Sequence, residues 1–198
     1  EREINAVTDN PLIFDSSKAL SGGNFHGEPI ALTMDYLAIA LCELGAISER
    51  RTFRLTDQKL SEGLPAMLTQ NDAGLNSGLM LPQYAAASLV LENQSLATPD
   101  SVRSLPTSAN QEDHNSNSMT AARHVREIVE NLGQILSIEL LTASQAISLR
   151  INAGAGKPGL GTARVHEVIR NTVPFHKNDT IWGVEIKKIN QLIKENRI

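Results

Sequence analysis

Residues Asn131 to Leu149 read NLGQILSIELLTASQAISL, a run with a single charge, Glu139. No proline interrupts the chain from Thr107 to Lys157. The spacing therefore predicts one helix over about residues 112–150, roughly 58 Å long at about 1.5 Å per residue. Val125, Ile128, Leu132 and Ile135 recur on one face, while Val129, Leu136, Leu140, Ala143 and Ile147 cover another. A helix apolar on most sides belongs in a large core or in a membrane. Gln134, Ser137, Thr142, Ser144, Gln145 and Ser148 argue against a membrane. A chain of 198 residues can hardly surround such a helix alone, so burial between several subunits is expected.

Upstream, Pro29 suits a first helical turn, where its missing N–H costs nothing. Ile30, Met34, Leu37, Leu41 and Leu44 then recur at spacings that mark one helical face. Ala31, Ala38 and Gly45 form a second stripe, of small residues suited to close packing. Glu49, Arg50, Arg51 and Arg54, near the helix end, read as an ion-pair network joining helices. A second helix is predicted over about 79–97, within the uncharged run Ala73 to Leu91, with Pro82 at its first turn. Residues 9–29 and 71–77 read as loops. The Gly-rich NAGAGKPGLG (152–161) opens a tail with two short helices, about 162–172 and 183–196. The expected fold is all-α with long helices: residues 1–150 form a helical core segment, and 151–198 a loop and short helices of the same domain.

Lys plus Arg number 18 against 22 Asp plus Glu, a net charge of −4. That sign gives no footprint for a phosphate backbone, which excludes nucleic-acid binding as the main task. With 41% hydrophobic and 20% charged residues the composition is globular. The lone Cys42 leaves no disulfide framework and no multi-cysteine metal site; it is expected to fill a core gap in a reducing compartment, the cytoplasm. Glu1 opens the chain with neither methionine nor signal peptide, so its start is expected to lie upstream or to have been removed.

Two polar stretches abut the apolar helices. In Ser21-Gly22-Gly23-Asn24-Phe25-His26-Gly27-Glu28-Pro29, glycines run into a helix N-terminus, which turns backbone N–H groups toward any anion, an amino-acid carboxylate included. Spacing alone favours an ordinary turn with glycines at left-handed positions. His26 and Glu28 are expected to face opposite ways, which disfavours a metal pair. The second stretch, Pro106 to Ser118 (PTSANQEDHNSNS), feeds into the long helix. Glu112, Asp113 and His114 can supply an acid or base at an apolar boundary; read alone, they serve equally as helix caps. His124, His166 and His176 are isolated and read as surface or hydrogen-bonded histidines. Nothing points to a metal.

Across the chain, NAVTDNPLIF (5–14), SGGNFHGEP (21–29), ISERR (47–51), GLNSG (74–78), SLPTSANQEDH (104–114) and AAR (121–123) occur in one order. Together they resemble the C-terminal part of histidine ammonia-lyase and, more broadly, of the aromatic amino-acid ammonia-lyases and aminomutases. The likeness is strong over residues 1–150 and looser in the tail. It implies an all-α, aspartase/fumarase-like architecture, assembled as an oligomer around long helices, with active sites shared between subunits. It implies elimination of ammonia from an amino acid, histidine giving trans-urocanate, at a methylidene-imidazolone made from an internal Ala-Ser-Gly. By that resemblance Phe25 lines the substrate and prosthetic-group pocket. Glu112 lies near the substrate side chain and amine, as the catalytic carboxylate, and favours histidine where relatives acting on phenylalanine tend to carry glutamine. Asn24, His26, Gln111 and His114 are expected to line the pocket or stand just behind it.

Departures from the pattern matter as much. No Ala-Ser-Gly occurs; Leu20-Ser21-Gly22 and Asn76-Ser77-Gly78 come closest. Tyr36 and Tyr84 fall in helix patterns and do not match the family's catalytic tyrosines. Arg103 stands where the family usually has an acid, and Asn115 to Ser118 replace the usual Val-Ser-Met-Gly, so the pocket rim is expected to differ. The prosthetic group must come from a missing N-terminal portion or a partner chain, and this chain alone is expected to be inactive. The alternatives are a non-catalytic helical oligomer that regulates a full-length relative, or part of a lyase or aminomutase for another amino acid.

Overall fold

The computed structural model describes residues 1–71 and 74–198. Asp72 and Ala73, at the start of the uncharged run and in the expected 71–77 loop, lie outside them: the run itself begins at Ala73. A short hairpin comes first, β1 (Leu12–Asp15) antiparallel to β2 (Lys18–Leu20), with Leu12 opposite Leu20 and an irregularity between Ile13 and Asp15. Helices follow: α1 (Glu28–Thr56), α2 (Met80–Leu96), α3 (Ser118–Asn152), α4 (Leu160–Thr172) and α5 (Trp182–Lys194). The all-α expectation holds apart from the hairpin, which interrupts the stretch read as loop. Its residues are exposed except for the half-buried Leu12, so it leaves no buried alternation in the sequence. α3 begins six residues later than expected; the sequence before it forms a loop, described below.

The chain divides into two compact units, Glu1–Ala40 with Gln94–Ile128, and Leu41–Asn93 with Val129–Ile198. In the first, Ala31, Ala38, Ala121, Val125 and Ile128 are buried. Its polar centre is Asp35, whose carboxylate accepts the backbone amides of Asp100 (3.1 Å) and Ser101 (2.9 Å). Asp100 in turn pairs with His124 Nδ1 at 2.7 Å and with Arg103 at 3.6 Å.

In the second unit, Leu64, Leu68, Leu79, Leu141, Ala146, Leu149, Ile169, Val173 and Ile189 form one core cluster. Around it pack Leu55, Val165, Phe175, Trp182 and Ile186. The second half of α3 is thus covered by its own chain: Ile135, Ser137, Ile138, Leu141, Thr142 and Ser144 are each essentially buried. One face is buried within the chain, while Val129 is exposed and Leu136, Leu140, Ala143 and Ile147, on the second apolar face, are only half-buried. Two of the buried hydroxyls are satisfied within the helix, Ser137 on the Gly133 carbonyl and Thr142 on that of Ile138. Cys42, as expected, fills the core; its thiol donates to the Asn93 carbonyl, and burial, with Glu43 nearby, pushes its pKa up. The charged run at the end of α1 links helices: Arg51 meets Glu139 at 3.4 Å, and Glu49 binds Arg50 and accepts Gln83 Nε2 at 2.7 Å.

α1 packs on the small-residue stripe singled out in the sequence. Its buried side is the small and polar stripe, Ala31, Asp35, Ala38, Cys42, Gly45, Ser48, Glu49 and Thr52, and Gly45 lies against Leu132 and Ile135. Leu32, Tyr36, Leu37, Ile39, Leu44 and Ile47 are exposed. Small residues let backbones approach closely, so they win the interior over bulkier neighbours. By length and composition α1 and α3 could each cross a membrane; α3's apolar stretch is mostly buried within the chain and α1's mostly is not.

Candidate functional site

Two loops of the first unit meet at the start of α3. The 21–29 loop is fixed by Asn10, whose Oδ1 accepts the Ser21 hydroxyl (3.0 Å) and the Gly22 amide (2.9 Å). It turns at Gly27, which has φ +78°; a Cβ there would lie 2.9 Å from Ser118 Oγ, so only glycine fits. That turn brings His26 Nδ1 to 3.9 Å from the Glu28 carboxylate, which corrects the expectation that the two side chains diverge. Glu28 also occupies the first turn of α1, so the positive end of that helix already faces a carboxylate of the chain.

The second loop is held shut by Thr107 and Glu112. The Thr107 amide donates to the Glu112 carbonyl at 2.8 Å, and the Glu112 amide donates back at 3.3 Å. Between them Ser108, Ala109 and Asn110 all adopt left-handed backbone, with φ of 51°, 54° and 74°. Non-glycine residues pay roughly 1–2 kcal/mol each for that conformation, and such backbone gathers at functional sites. Asparagines brace the loop. The Asn115 amide donates to Ser104 Oγ at 2.8 Å, and its side chain donates to the Leu105 carbonyl and Thr107 Oγ1. Asn117 Nδ2 donates to the carbonyls of Asp100 (3.1 Å) and Arg103 (2.9 Å).

An open cleft of about 510 Å³ lies between the loops, lined by Phe25, His26, Leu105, Thr107, Glu112 and His114, and by Asn115 to Thr120 as the chain enters α3. Of the residues singled out in the sequence, the structure brings together Phe25, His26, Glu112 and His114. Asn24 and Gln111, expected to line the pocket or stand just behind it, are not in its lining; Gln111 takes helical backbone (φ −66°, ψ −42°) straight after the left-handed turn. Phe25 is half exposed, and one oxygen of Glu28 is buried without a hydrogen-bond partner. Arg103, whose charge was expected to alter the rim, is engaged with Asp100 and does not line the cleft.

The sequence reading passed over Asp35 and Asp100 and took His124 as isolated; together they hold the base of the second loop. A signal was available: Asp35 falls at helical spacing between Ala31 and Ala38, a lone carboxylate on the small-residue stripe.

A family model described as aromatic amino acid lyase matches residues 1–171. The chain belongs to that family. Histidine ammonia-lyase of Treponema denticola is 52% identical over 197 residues, covering 99% of this chain and 38% of the relative. The match to histidine ammonia-lyase of Natranaerobius thermophilus is 48% identical and also spans 38% of the relative. Among solved structures, histidine ammonia-lyase from Trypanosoma cruzi superposes with a TM-score of 0.88 at 41% identity, over 98% of this chain and 38% of that one. Tyrosine aminomutase from Streptomyces globisporus gives 0.85 at 34% identity, over 96% and 35%. The chain thus spans well under half the length of the relatives it matches and corresponds to their C-terminal part, as the motif order implied. The helical ammonia-lyase fold is also as expected.

Proposed function

We propose that this chain is the C-terminal portion of an enzyme that eliminates ammonia from L-histidine to give trans-urocanate. An N-terminal portion or partner chain completes it. The observation that carries the reading is the meeting of Phe25 and Glu112, remote in sequence, at one open cleft. Histidine is favoured over phenylalanine because its ring offers an N–H that a carboxylate can accept, and a phenyl ring does not. The similarity to proteins named histidine ammonia-lyase supports the same choice.

In the elimination a proton leaves Cβ and the amine leaves Cα as ammonia, and a double bond forms between the two carbons. The β-proton is weakly acidic and the amine a poor leaving group, so an electrophile must lower the barrier. A methylidene-imidazolone would supply it when present, and the cleft leaves room for such a flat group: it is open and edged by the half-exposed ring of Phe25. The Phe25 ring packs against flat groups and excludes water. Glu112 orients the imidazole through its N–H and is placed to take up a proton. Without the missing portion the chain is inactive. The exposed apolar face of α1, from Leu32 to Ile47, and the hairpin residues Ile13 and Phe14 are the surfaces that neighbouring subunits cover in the cytoplasmic assembly.

Native mass spectrometry of the chain purified from its source tests this. The expected result is a stoichiometric second polypeptide, lighter than its sequence requires by the dehydration of Ala-Ser-Gly, and a complex that forms urocanate. Turnover by residues 1–198 alone would refute the need for a partner. A homo-oligomer that stays inactive when an Ala-Ser-Gly portion is added would leave a non-catalytic protein.

A further inference from the structure

We infer that His26 is a positioning residue: it sets where Glu112 stands and does not bind substrate itself. The inference rests on Glu112 as the working carboxylate of the proposed lyase. His26 Nε2 lies 2.9 Å from the backbone carbonyl oxygen of His114. A carbonyl only accepts, so Nε2 carries the hydrogen, which leaves Nδ1 as the other ring nitrogen. That nitrogen points to Glu28, 3.9 Å away. One face of the ring is stacked on His114, with centroids 5.2 Å apart and planes inclined by 14°. Both nitrogens and one face of His26 are therefore turned toward the chain.

The acceptor is two residues beyond Glu112, on a loop whose closing pair, Thr107 and Glu112, spans three left-handed residues. Such a loop holds its shape only where its surroundings over-determine it. The His26 bond ties it to the loop that carries Phe25, and so fixes the two cleft residues relative to each other. Small misplacements of a reacting group cost rate steeply.

Two substitutions separate donor from ring, in the enzyme completed by its Ala-Ser-Gly portion. His26→Phe keeps a stacking ring and loses the donor; His26→Gln keeps an N–H at similar reach and loses the ring. The expected result is about a tenfold fall in kcat for His26→Phe, with KM for L-histidine within about twofold, and kcat restored to within about threefold in His26→Gln. Backbone amide exchange over residues 107–115 should accelerate in the phenylalanine variant and not in the glutamine one. Glutamine as slow as phenylalanine, both variants like wild type, or a raised KM at unchanged kcat would each overturn the inference. If the unaltered complex does not turn over histidine, the proposed function fails, and the exchange comparison still decides whether His26 holds the loop.

Discussion

Replacing Asp35 with asparagine tests whether a buried carboxylate in α1 carries the base of the Glu112 loop. Asp35 is 8% exposed and accepts two backbone amides, Asp100 at 3.1 Å and Ser101 at 2.9 Å. Hydrogen bonds to an ionised acceptor contribute about 1.5–3 kcal/mol each. Asparagine keeps the shape, removes the charge and presents one NH₂ where an oxygen stood, so one bond is lost and the other weakened. The expected loss is about 2–4 kcal/mol, a fall in Tm of roughly 5–15 °C for a chain of this size. Alanine, which orphans both amides, should cost more. Urea unfolding followed by far-ultraviolet circular dichroism measures the difference. Its pH dependence is a second check. Burial raises the Asp35 pKa, but the Ser101 hydroxyl, the amides of Ser101 and Asp100 and the charge of His124 together outweigh it and hold the carboxyl below its ordinary 3.8. A depressed folded value means that the stabilisation is complete above 3.8 and is lost as pH falls through the folded pKa. The gap between wild type and Asp35→Asn should therefore narrow in acid. A difference under about 0.5 kcal/mol at neutral pH, where surface substitutions fall, or a gap that does not change in acid, would refute the reasoning.

Gly78→Ala should destabilise by at least about 2 kcal/mol in the same assay, since a Cβ at φ +57° would overlap the Met67 carbonyl oxygen while the Gly78 amide is held by Asp179 at 2.7 Å. His166→Gln should flatten a pH slope. Burial, with Arg170 nearby, holds the His166 imidazole below its usual 6.5 beside Ser148 Oγ. The unfolded chain thus takes up the proton first, and wild-type stability should fall as pH drops from 6.5 through the folded value, a loss visible in Tm against pH. Glu112→Gln in the completed enzyme should lower kcat/KM for L-histidine by about a hundredfold or more, the scale of a lost acid–base group; unchanged kinetics would remove its assigned role.

The five helices among the described residues were legible because their periodicity and their proline positions agree. The inward face of α1 was legible only as its small-residue stripe, not in the polar residues along it. Hydropathy picks out Leu37 and Leu44, whereas packing chose Ala31, Ala38 and Gly45 and then satisfied the polar residues between them, Asp35 and Glu49. The start of α3 was misplaced because Glu112, Asp113 and His114 look like caps. The residue that bars a helix there is Asn117, left-handed at φ 55° and held by the Asp100 and Arg103 carbonyls, contacts that spacing does not show. Phe25 and Glu112 were found through the order of six motifs, which reports on the fold as a whole; neither residue stands out by spacing. The bond from His26 to the His114 carbonyl was invisible, since a backbone acceptor leaves no trace in sequence.

The left-handed turn at Ser108 to Asn110 also bears on how this protein responds to selection. Glycine at any of the three positions would relax the backbone, so a search for heat tolerance is drawn to them. The same exchange frees the segment that aims Glu112, and each gain in melting temperature there trades against turnover. Libraries screened for thermostability and for product formation should therefore diverge at these residues, with glycine enriched in the first and depleted in the second.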